Sequence, residues 1–303
     1  MDREILLHLP VVIAVARRRN FAAAAAELGL SPSSVSHSVR LVEERLRGPL
    51  FARTTRSVAL TEAGEAFVRQ AGAALDQLQE ATEQVRSLQG RVSGLLRINA
   101  PRVALPLVMT PLLVELHARH PELEVEVTTD DALVDIVAQG YDCGIRLGEM
   151  IAEDMVATRL TPPFKAIMVA SPRYLARRGE PTSLDDIAHH ACIGYRLMRS
   201  GGVYAWDVQS DGRDMQLQVS GPARVTDPLF ALDLALAGLG IAYVFEPLAR
   251  AAIREGRLKW LLPDTAIEEP GLFAYYPRRA SETPKLRAFV ACARDFVTGR
   301  HGD

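Results

Sequence analysis

Residues 21–46 read Phe21-Ala22-Ala23-Ala24-Ala25-Ala26-Glu27-Leu28-Gly29-Leu30-Ser31-Pro32-Ser33-Ser34-Val35-Ser36-His37-Ser38-Val39-Arg40-Leu41-Val42-Glu43-Glu44-Arg45-Leu46. Phe21 to Leu28 has very high helix propensity, and Gly29 ends that helix. Ser31 suits an N-cap, and Pro32 suits the first helical position, where its missing N–H costs nothing. A new helix therefore begins across a tight turn whose core Leu30 can plug. Within it Val35, Val39, Val42 and Leu46 keep helical spacing, which leaves Ser33, Ser34, Ser36, His37 and Arg40 on other faces. Upstream, Leu6, Leu9, Val12, Ile13 and Ala16 form one apolar stripe and predict a first amphipathic helix. The order is helix, helix, tight turn, helix.

Downstream lie two short alternating runs, Leu50-Phe51-Ala52 and Val58-Ala59-Leu60, joined by Arg53-Thr54-Thr55-Arg56-Ser57. This reads as a hairpin with a basic tip, and helix-turn-helix plus hairpin is a winged helix. An ordinary three-helix bundle with a solvated Arg/Thr loop has the same periodicity. Short polar side chains on the third helix and a basic tip are, however, what groove reading and phosphate contact in double-stranded DNA require. Charge divides along the same line. Residues 1–60 hold nine arginines against five carboxylates, a net +4, in a chain of formal charge −2, so the remainder carries −6. Such asymmetry is the footprint of a small polyanion-binding module joined to a mildly acidic domain.

Thr61 can cap a long helix reaching about Leu88, with Glu62 and Glu65 near its positive end. Phe67, Ala71, Ala74, Leu78, Ala81, Val85 and Leu88 follow alternating four- and three-residue steps. That heptad seam is buried best against a second chain, with packing on the chain's own second domain as the alternative. Residues 89–94 then break the helix and read as a hinge. From there strand-like segments at 95–98, 123–128, 143–147, 167–170, 192–195, 241–245 and 272–276 alternate with amphipathic helices, most clearly at Leu105, Val108, Met109, Leu112, Leu113 and Leu116. The pattern predicts α/β architecture with mainly parallel sheets. Residues 206–219, with Asp211-Gly212 as the turn, predict an inserted antiparallel hairpin.

The 303 residues are 48% hydrophobic and 24% charged, enough for about two domains with real cores. Cys143, Cys192 and Cys292 lie too far apart for a Cys-x-x-Cys motif and fit a reducing compartment. Arg17-Arg18-Arg19 arrives before any apolar stretch long enough for a signal core or a membrane span of about 20 residues. A cytoplasmic protein without membrane insertion is therefore expected. His117 with His120, and His189-His190-Ala191-Cys192, lack the further ligands that would complete a metal site. Gly238-Leu239-Gly240 follows a helix rather than a strand and reads as a helix-ending turn. No nucleophile elbow or Walker loop is present, so neither enzymatic activity nor a cofactor is expected. Two rival readings face objections from the residues. A binding protein whose front segment only oligomerises conflicts with the basic wing, and a hydrolase or transferase lacks a nucleophile–base constellation.

The run from Phe21 to Leu46, followed by Leu50-Phe51-Ala52-Arg53-Thr54-Thr55-Arg56 and Leu60-Thr61-Glu62-Ala63-Gly64, resembles the N-terminal region of LysR-type transcriptional regulators. More loosely, Asp142-Cys143-Gly144-Ile145-Arg146-Leu147-Gly148, Ser171-Pro172-Arg173-Tyr174-Leu175 and Ala237-Gly238-Leu239-Gly240-Ile241-Ala242 resemble the family's effector-binding half. The resemblance implies a winged helix-turn-helix at 1–60 and a linker and dimerisation helix at 61–90. It implies a two-lobed, periplasmic-binding-protein-like α/β effector domain at 91–303, with one lobe from about 91–162 and 267–303 and the other from 163–266. It further implies a homodimer or homotetramer, a small-molecule effector and RNA polymerase as a further partner. One departure stands out: the family usually places Gly directly after the Leu that closes the recognition helix, whereas here Leu46-Arg47-Gly48-Pro49 puts Arg there.

By the same resemblance Pro32, Ser33, Ser34, Ser36, His37 and Arg40 face the major groove, and Arg53, Thr54 and Arg56 lie at the wing by phosphate or an adjacent minor groove. An effector is expected between the lobes, at the carboxyl ends of strands. Asn99-Ala100-Pro101-Arg102 sits at such a junction, and Arg102 there can hold an anion. Similar placement marks Arg146, Tyr195, Asp227 and Phe245, with an organic or aromatic acid as the expected ligand. Each has a structural alternative: an ion pair for Arg146, plain core for Tyr195 and Phe245, an N-cap for Asp227.

Overall fold

The computed structural model describes residues 2–53, 58–88, 91–131, 134–148, 151, 155–198, 200–210 and 212–299, in two compact units, 1–85 and 86–303. In the first unit α1 (Arg3–Arg18) is capped by Asp2, whose carboxylate accepts from the Glu4 N–H at 3.0 Å. Asn20 caps α2 (Phe21–Leu28) and Ser31 caps α3 (Pro32–Leu46). The three helices bury Val12, Val15, Ala24, Val35, Val39 and Val42 in one core, closed below by Leu50 and Phe51. Three expected core residues lie outside it: Leu6 is 45%, Leu30 42% and Leu46 37% exposed. The α2–α3 turn needs no plug, because Gly29 and Leu30 N–H groups bond back to Ala26 and Ala25 carbonyls around a left-handed Gly29. The same backbone cap ends α3, with Arg47 at φ 54° in the glycine-favouring position. The departure at Arg47 therefore leaves the helix end intact at the cost of a strained residue.

Strands β1 (Phe51–Arg53) and β2 (Val58–Leu60) pair antiparallel in the expected hairpin, with Phe51 opposite Leu60 and Arg53 opposite Val58. Thr61 then caps α4 (Glu62–Leu88), its Oγ1 accepting from the Gly64 N–H at 3.0 Å. Gly64 is required by close approach: a Cβ there would sit 2.0 Å from the Leu50 carbonyl oxygen. Along the expected seam Phe67 and Ala71 are half-buried, while Leu78 and Val85 are 66% and 59% exposed. The Leu88 side chain lies outside the described residues.

The second unit runs β3 (Gly94–Ala100), a π turn at Leu105–Met109, α5 (Thr110–Arg119), β4 (Leu123–Thr129), β5 (Cys143–Leu147), β6 (Met155–Arg159), β7 (Phe164–Ala170), α6 (Pro172–Arg178), β8 (Ile193–Tyr195), β9 (Trp206–Ser210), β10 (Arg213–Leu217), β11 (Ala223–Val225), α7 (Pro228–Leu236), β12 (Ala242–Phe245), α8 (Glu246–Arg254), β13 (Lys259–Leu261), β14 (Ile267–Glu269), β15 (Leu272–Pro277) and α9 (Pro284–Gly299). One sheet has the order β4-β3-β5-β15-β6, and its apolar face, with Leu96, Ile98 and Ile145, packs with Leu112 and Leu116 of α5 and Phe289 of α9. The other is built on β7, flanked by β12 and by β13 then β14, with apolar clusters that include Ile167 and Val244, and Met168 and Trp206.

The sheets are mixed rather than mainly parallel. β3 pairs parallel with β4 and β5, and β8 with β11, but β15 runs antiparallel to both its neighbours, as do all three partners of β7. The late strand β15 closes the five-stranded sheet after the chain has built the second one, and an antiparallel return needs no crossover helix. The inserted hairpin forms, β9 running antiparallel to β10 with Ser210 opposite Arg213. Among the described residues no helix is long and apolar enough to cross a membrane.

Candidate functional site

The first candidate surface is α3. Its N-terminus is a serine cluster: the Ser31 Oγ accepts from the Ser34 N–H at 3.1 Å and lies 2.8 Å from the hydroxyls of both Ser33 and Ser34. The positive helix end and these hydroxyls suit a phosphate or a base edge. Pro32, Ser33, Ser34, His37 and Arg40 are exposed and Ser36 is half-buried; the spacing of Ser33, His37 and Arg40 puts them on one stripe. Arg40 reaches His37 Nδ1 at 3.3 Å and Glu44 at 3.5 Å, with its side chain 65% exposed. Such an open pair is worth little and exchanges readily for another anion.

Other front arginines are engaged inside the fold. Arg17 and Arg18 both bind Glu27, joining α1 to α2, and Arg45 binds Glu4, joining α3 to α1. These pairs set three arginines against two carboxylates that the net +4 already subtracts, so most of the excess charge rests on the other arginines. Glu43 was not singled out from sequence, yet its Oε1 accepts from the Leu50 and Phe51 N–H groups at 2.8 and 3.1 Å. It ties the end of α3 to the first wing strand, and so positions the wing. Arg53 has its backbone on β1; its side chain, with Thr54 and Arg56, lies outside the described residues.

The second candidate surface lies at the carboxyl ends of β3, β4 and β5. Ala100 is buried, Pro101 half-buried, and the chain turns there into the π turn. Asp131 follows β4; its Oδ1 accepts from the Arg102 N–H at 2.9 Å, and its Oδ2 lies 3.9 Å from Arg102 Nε. From the β7-centred half, Tyr195 Oη donates to Asp131 Oδ2 at 3.3 Å, and Asp227 Oδ2 accepts from Arg102 Nη1 at 3.4 Å. Asp227 Oδ1 meanwhile caps α7 through the Leu229 N–H at 2.9 Å. The cap and the cross-link coexist in one carboxylate. Burial first, and Asp131 next, push the Tyr195 phenol up to about 12, so it stays a donor at neutral pH.

Arg146 is 2% exposed, donating to Ile145 O at 2.6 Å and Asn99 Oδ1 at 2.7 Å. Burial pulls its pKa down, while Tyr275, Asp130 and Asp131 oppose that; a guanidinium starts high enough to keep its charge. Parallel pairing of Asn99 with Gly144 sets Arg146, two residues on, at the strand end where β3 leads into Arg102. Phe245 stands apart: its ring packs on Phe164 at 4.9 Å and against the core of the five-stranded sheet. Sequence reasoning missed Asp131 and Tyr275. The Asp130-Asp131 pair directly after a parallel strand was the available signal, by the rule that selected Arg102. Grooves of about 310 and 420 Å³ along α9 and β6 are lined by none of these residues.

Residues 6–65 match the family model described as bacterial regulatory helix-turn-helix protein, lysR family, and residues 89–298 match the LysR substrate binding domain. The chain is 39% identical over 277 residues to the HTH-type transcriptional regulator YcaN of Escherichia coli (strain K12), covering 91% of this chain and 90% of that protein. It is 35% identical to the regulator PgrR of the same organism, covering 96% and 97%. Among solved structures, CrgA, a LysR-type regulator from Neisseria meningitidis, aligns with a TM-score of 0.61 at 25% identity over 96% of this chain and 98% of that one. Full-length AphB of Vibrio cholerae shares the fold, with a TM-score of 0.61 at 21% identity over 98% and 99%. The chain belongs to the LysR family of helix-turn-helix transcriptional regulators, and it joins a DNA-binding domain to the family's substrate-binding domain.

Proposed function

We propose that this regulator binds its operator through α3 and the wing, and that an organic or aromatic acid held between two lobes sets that binding. The domains are read as 1–60 for DNA, 61–90 for pairing of chains, and 91–303 for the effector, with lobes at 91–162 plus 267–303 and at 163–266. Pro32, Ser33, Ser34, Ser36, His37 and Arg40 contact the groove, and Arg53, Thr54 and Arg56 contact the backbone beside it. Two chains pair along the exposed seam of α4, as a dimer or within a tetramer, giving half-sites one helical turn or its multiples apart. The protein works in the cytoplasm, where RNA polymerase is a further partner.

The observation that carries the effector reading is the pair of polar contacts, Arg102 to Asp227 and Tyr195 to Asp131, that run from one sheet-centred half to the other. An acid that takes over Arg102 and Arg146 changes what those contacts hold. The backbone at Ala100 and Pro101 and the side chains of Tyr195 and Asp227 complete the proposed site, from which Phe245, packed on Phe164, drops out. The effector shifts operator binding only by its differential affinity for the two lobe arrangements, and operator DNA changes effector affinity reciprocally. The test is a panel of organic acids scored by thermal stabilisation and by operator affinity. Stabilisation by a carboxylate compound that also shifts operator binding supports the reading; stabilisation only by compounds that carry no carboxylate refutes it.

A further inference from the structure

The charges at the carboxyl ends of β3, β4 and β5 are of both signs. Arg102 meets Asp131 and, from the other half, Asp227, and the buried Arg146 guanidinium feels the charges of Asp130 and Asp131. A plain carboxylate would enter a cluster in which two carboxylates, Asp131 and Asp227, already share the Arg102 guanidinium. Both Asp131 and Asp227 spend Oδ1 on a backbone N–H and turn Oδ2 toward the same guanidinium, at 3.9 and 3.4 Å. Charge-assisted pairs close to about 2.7–2.9 Å when nothing holds them apart, and among the described residues Asp131 Oδ2 takes only one further bond, from Tyr195 Oη at 3.3 Å, so the two distal oxygens are loosely used.

The positive side has its own unfilled group. Tyr275, Gly144 and Asn99 are register partners on neighbouring strands, and Arg146 lies two residues beyond Gly144, so all share one face of the sheet. Gly144 makes room for the Tyr275 ring, since a Cβ there would lie 2.4 Å from it. Tyr275 is 5% exposed, and among the described residues its hydroxyl has no hydrogen-bond partner. A buried hydroxyl left without a partner is costly, which marks it as a group that a ligand completes.

We propose that the effector is a zwitterion of the α-amino acid class, its carboxylate held by Arg102, Arg146 and the Tyr275 hydroxyl, its ammonium by the Oδ2 atoms of Asp131 and Asp227. This rests on the effector reading above and narrows it. Both signs of the cluster are then answered, and the ammonium replaces Arg102 between the two carboxylates. The test uses the full chain and isothermal calorimetry against the proteinogenic amino acids, then the best binder against its deaminated acid and its decarboxylated amine. The amino acid is expected to bind at least about tenfold more tightly than either analogue, because each leaves one buried set of charges unanswered. Asp227→Asn keeps the α7 cap, as Asn caps as well as Asp. It is expected to weaken the amino acid and strengthen the deaminated acid. Equal binding of amino acid and deaminated acid, or no binding by any amino acid, overturns the proposal. If organic acids bind while amino acids do not, the zwitterion fails and the effector reading stands; if neither class binds, both fail.

Discussion

Two glycine-to-alanine substitutions on α4 are expected to act with opposite sign. At Gly64 the added Cβ would lie 2.0 Å from the Leu50 carbonyl oxygen and 2.9 Å from its carbon, where ordinary contact begins at 3.4 Å. The start of α4 must withdraw by more than an ångström. That strains the Thr61 N–H to Leu50 O hydrogen bond, 2.9 Å long, and lifts Phe67 and Val68 off the winged-helix core. Overpacking of this kind costs about 1–3 kcal/mol and a weakened hydrogen bond about 1 more, so Gly64→Ala should lose about 2–4 kcal/mol. At Gly72 the Cβ would meet Ile13 Cδ1 at 3.6 Å, an ordinary contact. There the helix propensity of alanine dominates, and Gly72→Ala should gain about 0.5–1 kcal/mol. Urea unfolding followed by far-UV circular dichroism reads both, since the front unit is mostly helical. The Gly64→Ala transition should move down by roughly 1 M or more and that of Gly72→Ala slightly up. A Gly64→Ala protein within about 0.5 kcal/mol of the parent would refute the reasoning.

On DNA, Arg56→Ala should weaken binding to all sequences and reduce the salt slope by about 1, whereas Arg40→Ala should change sequence preference; identical effects in anisotropy titrations would contradict the assigned roles. Leu78→Arg, at an exposed seam position, should drive the protein toward monomers in sedimentation velocity, and an unchanged assembly state would remove α4 as the pairing surface. Acid should destabilise the β7-centred half through His190. Tyr174 Oη accepts from the Ala191 N–H at 2.9 Å and lies 3.0 Å from His190 Nδ1, which suits an unprotonated ring. Burial foremost, then Arg178 and His189, lower its pKa against the pull of Asp186. The unfolded chain thus binds the extra proton, so stability is lost as pH falls through and below the ordinary histidine value of about 6.5. His190→Gln should flatten that limb in thermal melts across pH, and an unaltered slope would contradict it.

The front of the molecule is legible because local signals agree there. Gly29, Ser31-Pro32 and Thr61 each act on backbone within a few residues, and those caps form as read, while Asn20 caps α2 without having been singled out. Leu30 misleads because left-handed caps close the turn through backbone bonds. Strands β6, β11, β13 and β14 escape the reading for another reason. Three to five residues long, they carry no period of their own and exist only as partners of β15, β8 and β7. Antiparallel closure by β15 is likewise a long-range pairing. At the cleft, topology picks out Arg102, Tyr195 and Asp227 one strand end at a time. Asp131 goes unnoticed because its meaning lies in the three groups it gathers from distant segments.

Ligand-responsive DNA reading is tested most directly by fluorescence anisotropy of the full-length protein on a duplex from upstream of its own gene. A scrambled duplex and several salt concentrations are the controls, with and without the acid that stabilises the protein. Tight binding to the upstream duplex alone, steep in salt and shifted by the ligand, is the expected result. Weak binding that does not tell the duplexes apart, repeated when genomic fragments are selected for binding, would contradict it.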